Sequence, residues 1–312
     1  MTHVLVLGAS DIFVRRVLPA LEKCDGCTSI DVASRTKNTK IFKKAKKVCQ
    51  IFNDYDHALM SSKATWVYVS NRNIDHFLTA LLAIEKGKNI IIDKPAALNF
   101  SEARILVQAA SKRHLRIVEA SVFTFHSQFN LLKGLFRKQK VSRIVSIFSF
   151  PLLNQKNFRN KHDRGGGSIN DLGAYVFGLG RFVWGGEPTK IEVLADVSTD
   201  KVIQSFSVIL EYEDNCRLIG HFGFDTCYMN KAIMFGDRTC VELERVFTTT
   251  NELENTITVR ENGKTSEVKV GASDPFEIFF AAIFNDTLDF ENEIKSFLNN
   301  ANGIEMLKTK LE

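Results

Sequence analysis

Three side chains in this 312-residue sequence have the types and settings to move protons and steady charge: Lys94, Asp171 and Tyr175. Lys94 belongs to Asp93-Lys94-Pro95, which follows directly on the apolar run Asn89-Ile90-Ile91-Ile92. A cation at the end of a buried strand can neutralise a phosphate, or stabilise an oxygen that gains negative charge during a reaction. Pro95 restricts the backbone of Lys94 to extended conformations, so the ammonium is held. Asp171 and Tyr175 lie four residues apart and share one face of any helix they occupy. A phenol there can give or take a proton while the carboxylate orients a substrate. Plainer uses are also open. Ser168-x-x-Asp171 has capping-box spacing, Tyr175 suits a half-buried packing aromatic, and Lys94 suits a structural or phosphate-neutralising lysine.

The elements that must carry Lys94 alternate strand and helix. Val4-Leu5-Val6-Leu7 ends in Gly8-Ala9-Ser10, and Val14, Val17, Leu18 and Leu21 then recur at helical spacing. Strand, glycine turn and helix form the opening of a dinucleotide-binding unit. Gly8 takes the first glycine position of that fingerprint, whereas Ser10 and Phe13 stand at the second and third. Ser10 is small enough for a pyrophosphate to approach the helix amides, and Phe13 implies a different helix–sheet packing. A second strand, 29–34, ends at Ser34-Arg35-Thr36-Lys37. An NAD site wants a carboxylate at this strand end, and an NADP site wants arginine or hydroxyl groups. Asp31 comes too early, so NADP(H) is expected, with NAD(H) the alternative.

A strand at 65–69 ends in Ser70-Asn71, a helix over 74–86 stops at Gly87, and the strand at 89–92 delivers Lys94. A helix over 101–112 and a strand at 116–119 complete the alternation. Ligands in such sheets bind beyond the carboxyl ends of the strands, where Ser70, Asn71 and Lys94 stand. The fold class expected is α/β. A Rossmann-type doubly wound parallel sheet over residues 1–120 precedes an α+β domain over 121–312 with a large, open, mostly antiparallel sheet. Strands are expected at 144–150, 190–196, 203–212, 217–224, 231–235, 239–245, 256–260 and 266–270, with a hairpin at Glu261-Asn262-Gly263. Ile169, Leu172, Val176, Leu179 and Val183 form one apolar helical face. The closing helices, 274–287 and 291–311, are expected to pack partly on the first domain, with Phe279, Phe280 and Phe284 as core.

Asp93-Lys94-Pro95 after a parallel strand, with Gly87-Lys88 upstream, resembles the Gfo/Idh/MocA oxidoreductase family, whose usual form is Ala-Gly-Lys-x-Val-x-x-Glu-Lys-Pro. Gly165-Gly166-Gly167-Ser168-Ile169-Asn170-Asp171-Leu172-Gly173-Ala174-Tyr175 is similar to that family's Gly-Gly-Gly-x-x-x-Asp-x-Gly-x-(His/Tyr). His76 matches a family histidine, Arg159 fits, and Glu119-Ala120 with His126 and Gln128 looks like the next block. Asp93 replaces the usual glutamate, so its contact to the cofactor's amide end is rearranged. Tyr175 in place of histidine points to the branch of glucose–fructose oxidoreductase and the NDP-sugar 3-ketoreductases. Ser10-Asp11-Ile12, then Arg15-Arg16-Val17-Leu18-Pro19, also looks like the ketoreductases.

The resemblance implies a cofactor set of Gly8, Ser10, Asp11, Ile12, Ser34 and Arg35, continued by Lys37, Ser70, Asn71, His76, Asp93 and Lys94. The implied substrate set is Lys94, Glu119, Arg159, Asp171 and Tyr175, with Lys94, Tyr175 and Asp171 catalytic. Tyr175 is then the proton donor to a sugar or nucleotide-sugar carbonyl, with Lys94 polarising it. His76 and His126 fit capping or packing as well as ligand contact. Other readings keep the fold: a cyclic polyol, an imine or a tetrapyrrole as in biliverdin reductase, or a non-catalytic cofactor-binding regulator. The glycine triplet and Tyr175 argue against the tetrapyrrole. The retained Lys94, Asp171 and Tyr175 argue against the regulator. Family members are dimers or tetramers, and an open sheet in the second domain would supply the surface for a homodimer or homotetramer.

Composition sets the outer limits. Hydrophobic residues make up 45%, charged residues 25% and the net charge is +5, values of an ordinary soluble globular chain. The lysine run 37, 40, 43, 44, 46 and 47 has no nucleic-acid motif beside it and reads as a solvated helix face, or as positive potential beside an adenosine phosphate. Cys24-Asp-Gly-Cys27 has redox or zinc spacing without a second ligand pair, so no metal is expected. No apolar stretch is long enough to span a bilayer and no signal-peptide pattern opens the chain, so no membrane partner and a cytoplasmic place are expected.

Overall fold

The computed structural model describes residues 2–35, 42–137, 139–154, 157–198, 200–249 and 251–312, apart from the side chain of Lys43. Thr36, Lys37 and Lys40 therefore lie outside the described residues. Two compact units form: Met1–Ser121 with Phe276–Ala301, and Val122–Pro275 with Asn302–Glu312.

In the first unit, β1 (Thr2–Leu7), β2 (Cys27–Ala33), β3 (Val48–Phe52), β4 (Trp66–Val69), β5 (Asn89–Asp93) and β6 (Ile117–Ala120) form one parallel sheet. Its order is β3-β2-β1-β4-β5-β6, the doubly wound arrangement, with the order reversing between β1 and β4. The apolar runs become these strands because both faces of a parallel sheet are covered. Val4 to Leu7, Val67 to Val69 and Ile90 to Ile92 are fully buried, each such side chain contributing about 1.5–3 kcal/mol. β3 was not evident in the sequence; it is the edge strand, and Cys49, Gln50 and Ile51 face solvent instead of repeating an apolar pattern.

Between strands lie α1 (Leu18–Lys23), α2 (Tyr55–Ser61), α3 (His76–Glu85) and α4 (Phe100–Lys112). A π-helical turn, Phe13–Val17, precedes α1. Phe13, at the third glycine position, is fully buried 5.9 Å from the ring of Phe42. A bulky ring and a wide turn thus replace the close helix–sheet contact that a glycine permits. Asn99 caps α4 by accepting the amide of Glu102 at 2.9 Å. The described part of the lysine run, Lys43 to Lys47, forms no α-helix face. A 3-10 turn, Phe42–Lys44, leads into β3, and Lys47 donates to the carbonyls of Leu21 and Cys24 at 3.2 and 2.8 Å. A cation there complements the carboxyl end of α1. Cys24 and Cys27 are buried free thiols, and burial pushes Cys27 up to about 11.

The second unit holds α5 (Ser127–Phe136), β7 (Val141–Ser149), α6 (Ser168–Trp184), β8 (Lys190–Val197), β9 (Ile203–Glu211), β10 (Arg217–Gly223), β11 (Met229–Gly236), β12 (Thr239–Glu244), β13 (Asn255–Glu261) and β14 (Lys264–Val270). Its sheet runs β14-β13-β12-β11-β7-β10-β9-β8. β7 and β10 are parallel, and the other neighbouring pairs among the described residues are antiparallel. Asn262 and Gly263, both at positive φ, turn the β13–β14 hairpin. α6 lays Ile169, Leu172, Val176 and Leu179 into the core of this unit, as its spacing predicts. The final helices are α7 (Pro275–Phe284) and α8 (Phe290–Thr309). Phe279 and Phe280 are fully buried. Phe297 and Ala301 belong to the core of the first unit, and Ile304 and Leu307 to that of the second. No helix among the described residues is long and apolar enough to cross a membrane.

Candidate active site

The carboxyl ends of β1, β4 and β5 are joined by side chains. Gly8 follows β1 at φ +111°, and a Cβ there would sit 2.3 Å from the carbonyl oxygen of Ser70. Only glycine lets the β1 turn pass the β4 end so closely. Ser10 Oγ lies 2.6 Å from Ser70 Oγ and accepts the amide of Phe13 at 3.1 Å. Ser70 in turn donates to Asp93 Oδ2 at 2.5 Å, and the hydroxyl of Tyr68 donates to Oδ1. Asp11 and Ile12 are exposed at the start of the helical turns that follow. Burial raises the Asp93 carboxyl above the usual carboxylate range, against the opposing pull of the Ser70 and Tyr68 hydrogen bonds and the His76 and Lys94 charges. Burial likewise pushes Tyr68 well up, reinforced by Asp93.

Lys94 is half-buried at the end of β5, and the Lys94–Pro95 peptide is cis. The loop behind it is pegged twice. His76, 1% exposed, sets Nδ1 2.8 Å from the carbonyl oxygen of Pro95 and Nε2 3.2 Å from that of Asn71. Glu119, 4% exposed, accepts the amide of Ala96 at 2.9 Å on Oε1, and its Oε2 takes Ser121 at 3.2 Å and Asn300 at 2.5 Å. Both residues matched the family pattern as ligand contacts. Within the chain their polar atoms hold the Pro95–Ala96 backbone and the Asn71 turn. Asn71 itself gives Nδ2 to Thr79 at 2.7 Å, while its buried Oδ1 has no hydrogen-bond partner among the described residues.

At the end of β2, Ser34 is buried and the guanidinium of Arg35 lies 4.3 Å over the ring of Tyr55. The buried Asp31 is taken by internal partners: Ser62 donates to it at 2.6 Å and His3 Nε2 lies 2.9 Å away. This carboxylate is structural, in keeping with its position inside the strand. Among the described residues no cluster of histidine, cysteine and acidic groups could hold a metal.

The second unit brings Arg159 and Asp171 together, Nε to Oδ2 at 2.9 Å. The capping-box reading of Ser168 and Asp171 is corrected here. Gly167 at φ +102° is the N-cap, so Ser168 lies inside the helix and not at the capping position. The glycine triplet wraps the short turn that carries Arg159. A Cβ on Gly166 would meet the carbonyl oxygens of Arg159, Phe158 and Lys161 at 2.5 to 2.7 Å, and the amide of Gly167 donates to Arg159 O at 2.8 Å. Asn170, not singled out in the sequence, folds back to donate to the carbonyls of Gly165 and Gly166 at 3.3 and 2.9 Å. One turn beyond Asp171, Tyr175 is half-buried, its ring enclosed by Phe123, Phe148 and Phe247 at centroid distances of 5.5, 5.3 and 5.1 Å. Three aromatic neighbours restrict its rotamers, a condition for delivering a proton along a defined direction. His126 caps α5 by accepting the amide of Gln128 at 3.3 Å, and Gln128 bridges Val246 and Asn255.

Comparison with known proteins agrees with the observed fold. Residues 2–121 match the oxidoreductase family with an NAD-binding Rossmann fold, and residues 140–242 match the Gfo/Idh/MocA C-terminal domain. An uncharacterised oxidoreductase of Rhizobium meliloti is 26% identical over 196 residues, 62% of this chain and 59% of that protein. The dTDP-3,4-didehydro-2,6-dideoxy-alpha-D-glucose 3-reductase of Saccharopolyspora spinosa is 25% identical over 275 residues, covering 86% of this chain and 82% of that one. The crystal structure of KijD10, a 3-ketoreductase from Actinomadura kijaniata in complex with NADP and TDP-benzene, superposes with a TM-score of 0.91 at 22% identity, over 99% of this chain and 97% of that one.

Proposed function

The chain belongs to the Gfo/Idh/MocA family of oxidoreductases, and on that footing we propose that it transfers hydride between NADP(H) and a carbonyl or hydroxyl carbon of a sugar or nucleotide sugar. The observation that carries this reading is Lys94, half-buried at the carboxyl end of β5, with the Pro95–Ala96 backbone that follows it pegged by His76 and Glu119. The dinucleotide fits the first unit on two further grounds. Gly8 keeps the strand ends at the β1–β4 reversal open to close approach, and Asn71 offers a buried, unpartnered acceptor there. Gly8, Ser10, Asp11, Ile12, Ser70 and Asn71 would hold its pyrophosphate and nicotinamide half. Ser34 and Arg35, with no carboxylate at the β2 end, favour the 2′-phosphate of NADP. The NADP of the superposed ketoreductase and the dTDP-sugar reductases among the relatives support the same choice.

The bound nicotinamide supplies the hydride or takes it back. Lys94 stabilises negative charge as it develops on the carbonyl oxygen, and Tyr175 Oη gives that oxygen its proton. Asp171, fixed by Arg159, orients substrate hydroxyls. A second copy of the chain would cover the open sheet face, where Ile209, Ile219 and Val145 are adjacent in register and 36–45% exposed.

The test is thermal shift and turnover with NADPH, NADH and a panel of nucleotide-sugar ketones. NADPH should stabilise more than NADH, and Arg35→Ala should remove that preference. Lys94→Ala should lower kcat by about 10²–10³ with cofactor affinity retained. Wild-type kcat in Lys94→Ala would refute the mechanism. Stabilisation by NADH alone would refute the cofactor choice.

A further inference from the structure

The carboxylate of Asp93 is turned into the protein. Its two oxygens are engaged by Tyr68 and Ser70, and Tyr68 is fully buried on β4 with its ring 5.8 Å from Phe280. An ionised carboxylate accepts only, so Ser70 must donate to it. Ser70 then accepts from Ser10, and Ser10 accepts from the amide of Phe13. The charge on Asp93 therefore sets the direction of every hydroxyl along a relay that links β5, β4 and the turn after β1. Ordered hydroxyl chains of this kind polarise one another and resist rearrangement. The charged and titratable groups facing Asp93 are Tyr68 on β4, His76 on α3 and Lys94 beside it. The acid of the neighbouring strand, Glu119 on β6, points its Oε1 at Ala96 N.

We infer that Asp93 is a positioning residue: its buried charge orients the Ser70–Ser10 relay and balances Lys94, and Tyr68 is the partner that turns it inward. Asp93 then acts through Lys94 and the Ser10 turn without itself touching the dinucleotide. The inference rests on the reading of Lys94 as the cation at the reacting centre.

Asp93→Asn separates this role from a merely structural one. Asparagine is close in shape, and hydroxyl partners can reverse to suit an amide, so packing survives. The raised carboxyl also fixes the sign of the stability effect. A group protonated more readily in the folded state contributes stability at pH below the ordinary carboxylate range, and that contribution is lost as pH rises through its folded value. Near pH 8 the Asp93→Asn protein should keep or exceed the wild-type Tm, while kcat falls about 10-fold or more as the charge-assisted bonds are lost. NADPH affinity should change less than kcat. Tyr68→Phe keeps the ring and removes one donor, so the acid limb of the kcat/KM profile should move to higher pH. Ser70→Ala should move it in the same direction.

Wild-type kcat in Asp93→Asn overturns the proposal, as does an acid limb unmoved in both hydroxyl variants. A wild-type protein that turns over no carbonyl with NADPH refutes the functional reading. The Tm of the cofactor-free protein against pH then still tests Asp93: the wild-type advantage over Asp93→Asn should shrink as pH rises, and parallel curves refute its buried, raised carboxyl.

Discussion

Gly166→Ala tests whether the glycine triplet exists to seat Arg159. The added Cβ would fall 2.5 Å from the carbonyl oxygen of Arg159 and 2.7 Å from those of Phe158 and Lys161. All three are backbone atoms, so no side chain can swing aside. The turn must move, and with it the Gly167-to-Arg159 hydrogen bond and the Arg159–Asp171 pair. Overpacking of this kind costs about 1–3 kcal/mol. At about 2–4 °C per kcal/mol for a domain of this size, Tm should fall by about 2–12 °C. The KM for substrate should rise while cofactor affinity is kept, because the contact lies wholly in the second unit. Gly134→Ala is the control. Gly134 lies within α5 with nothing within 4 Å of its added Cβ, and alanine there should stabilise by up to about 1 kcal/mol. Differential scanning fluorimetry and steady-state kinetics read both variants. A Tm for Gly166→Ala within about 1 °C of wild type, with unchanged KM, would refute the reasoning.

Glu119→Gln should lower both stability and kcat. The amide of Ala96 loses a charged acceptor, and an NH2 group must then face a donor from Ala96 or Asn300, a cost of about 1–3 kcal/mol visible in Tm. Iodoacetamide at pH 8 should label the exposed Cys49 and Cys227 long before Cys27, whose buried thiol at about 11 holds roughly a thousandth as thiolate. Mass spectrometry of tryptic peptides reads the order, and early labelling of Cys27 would contradict its burial. Ile219→Glu should convert an assembled species to monomer in light scattering without lowering Tm by more than about 0.5 kcal/mol equivalent, since Ile219 is 44% exposed in the single chain. A protein that is monomeric before the change would remove the surface from consideration.

Local pattern specified a good part of this protein. The uninterrupted apolar runs at Val4 to Leu7 and Ile90 to Ile92 could be satisfied only by strands covered on both faces, so the parallel sheet and the place of Lys94 at the carboxyl end of one of its strands were legible. The four-residue step from Asp171 to Tyr175 likewise put both on one turn of α6. An exposed edge strand such as β3 left no such pattern, and neither did the π-helical turn that accommodates Phe13. Partnerships between buried polar groups were decided elsewhere. Ser10 meets Ser70 across 60 residues, Glu119 reaches Ala96 and Asn300, and Asp93 faces Tyr68. The family resemblance implies ligand contacts for Glu119 and Asp93 but says nothing of these partners inside the protein. The periodicity of burial is local because each backbone geometry repeats along the chain. The partner of a buried carboxylate is not, because it depends on which strand ends the completed sheet brings within about 3 Å, and burial leaves no water to take the partner's place.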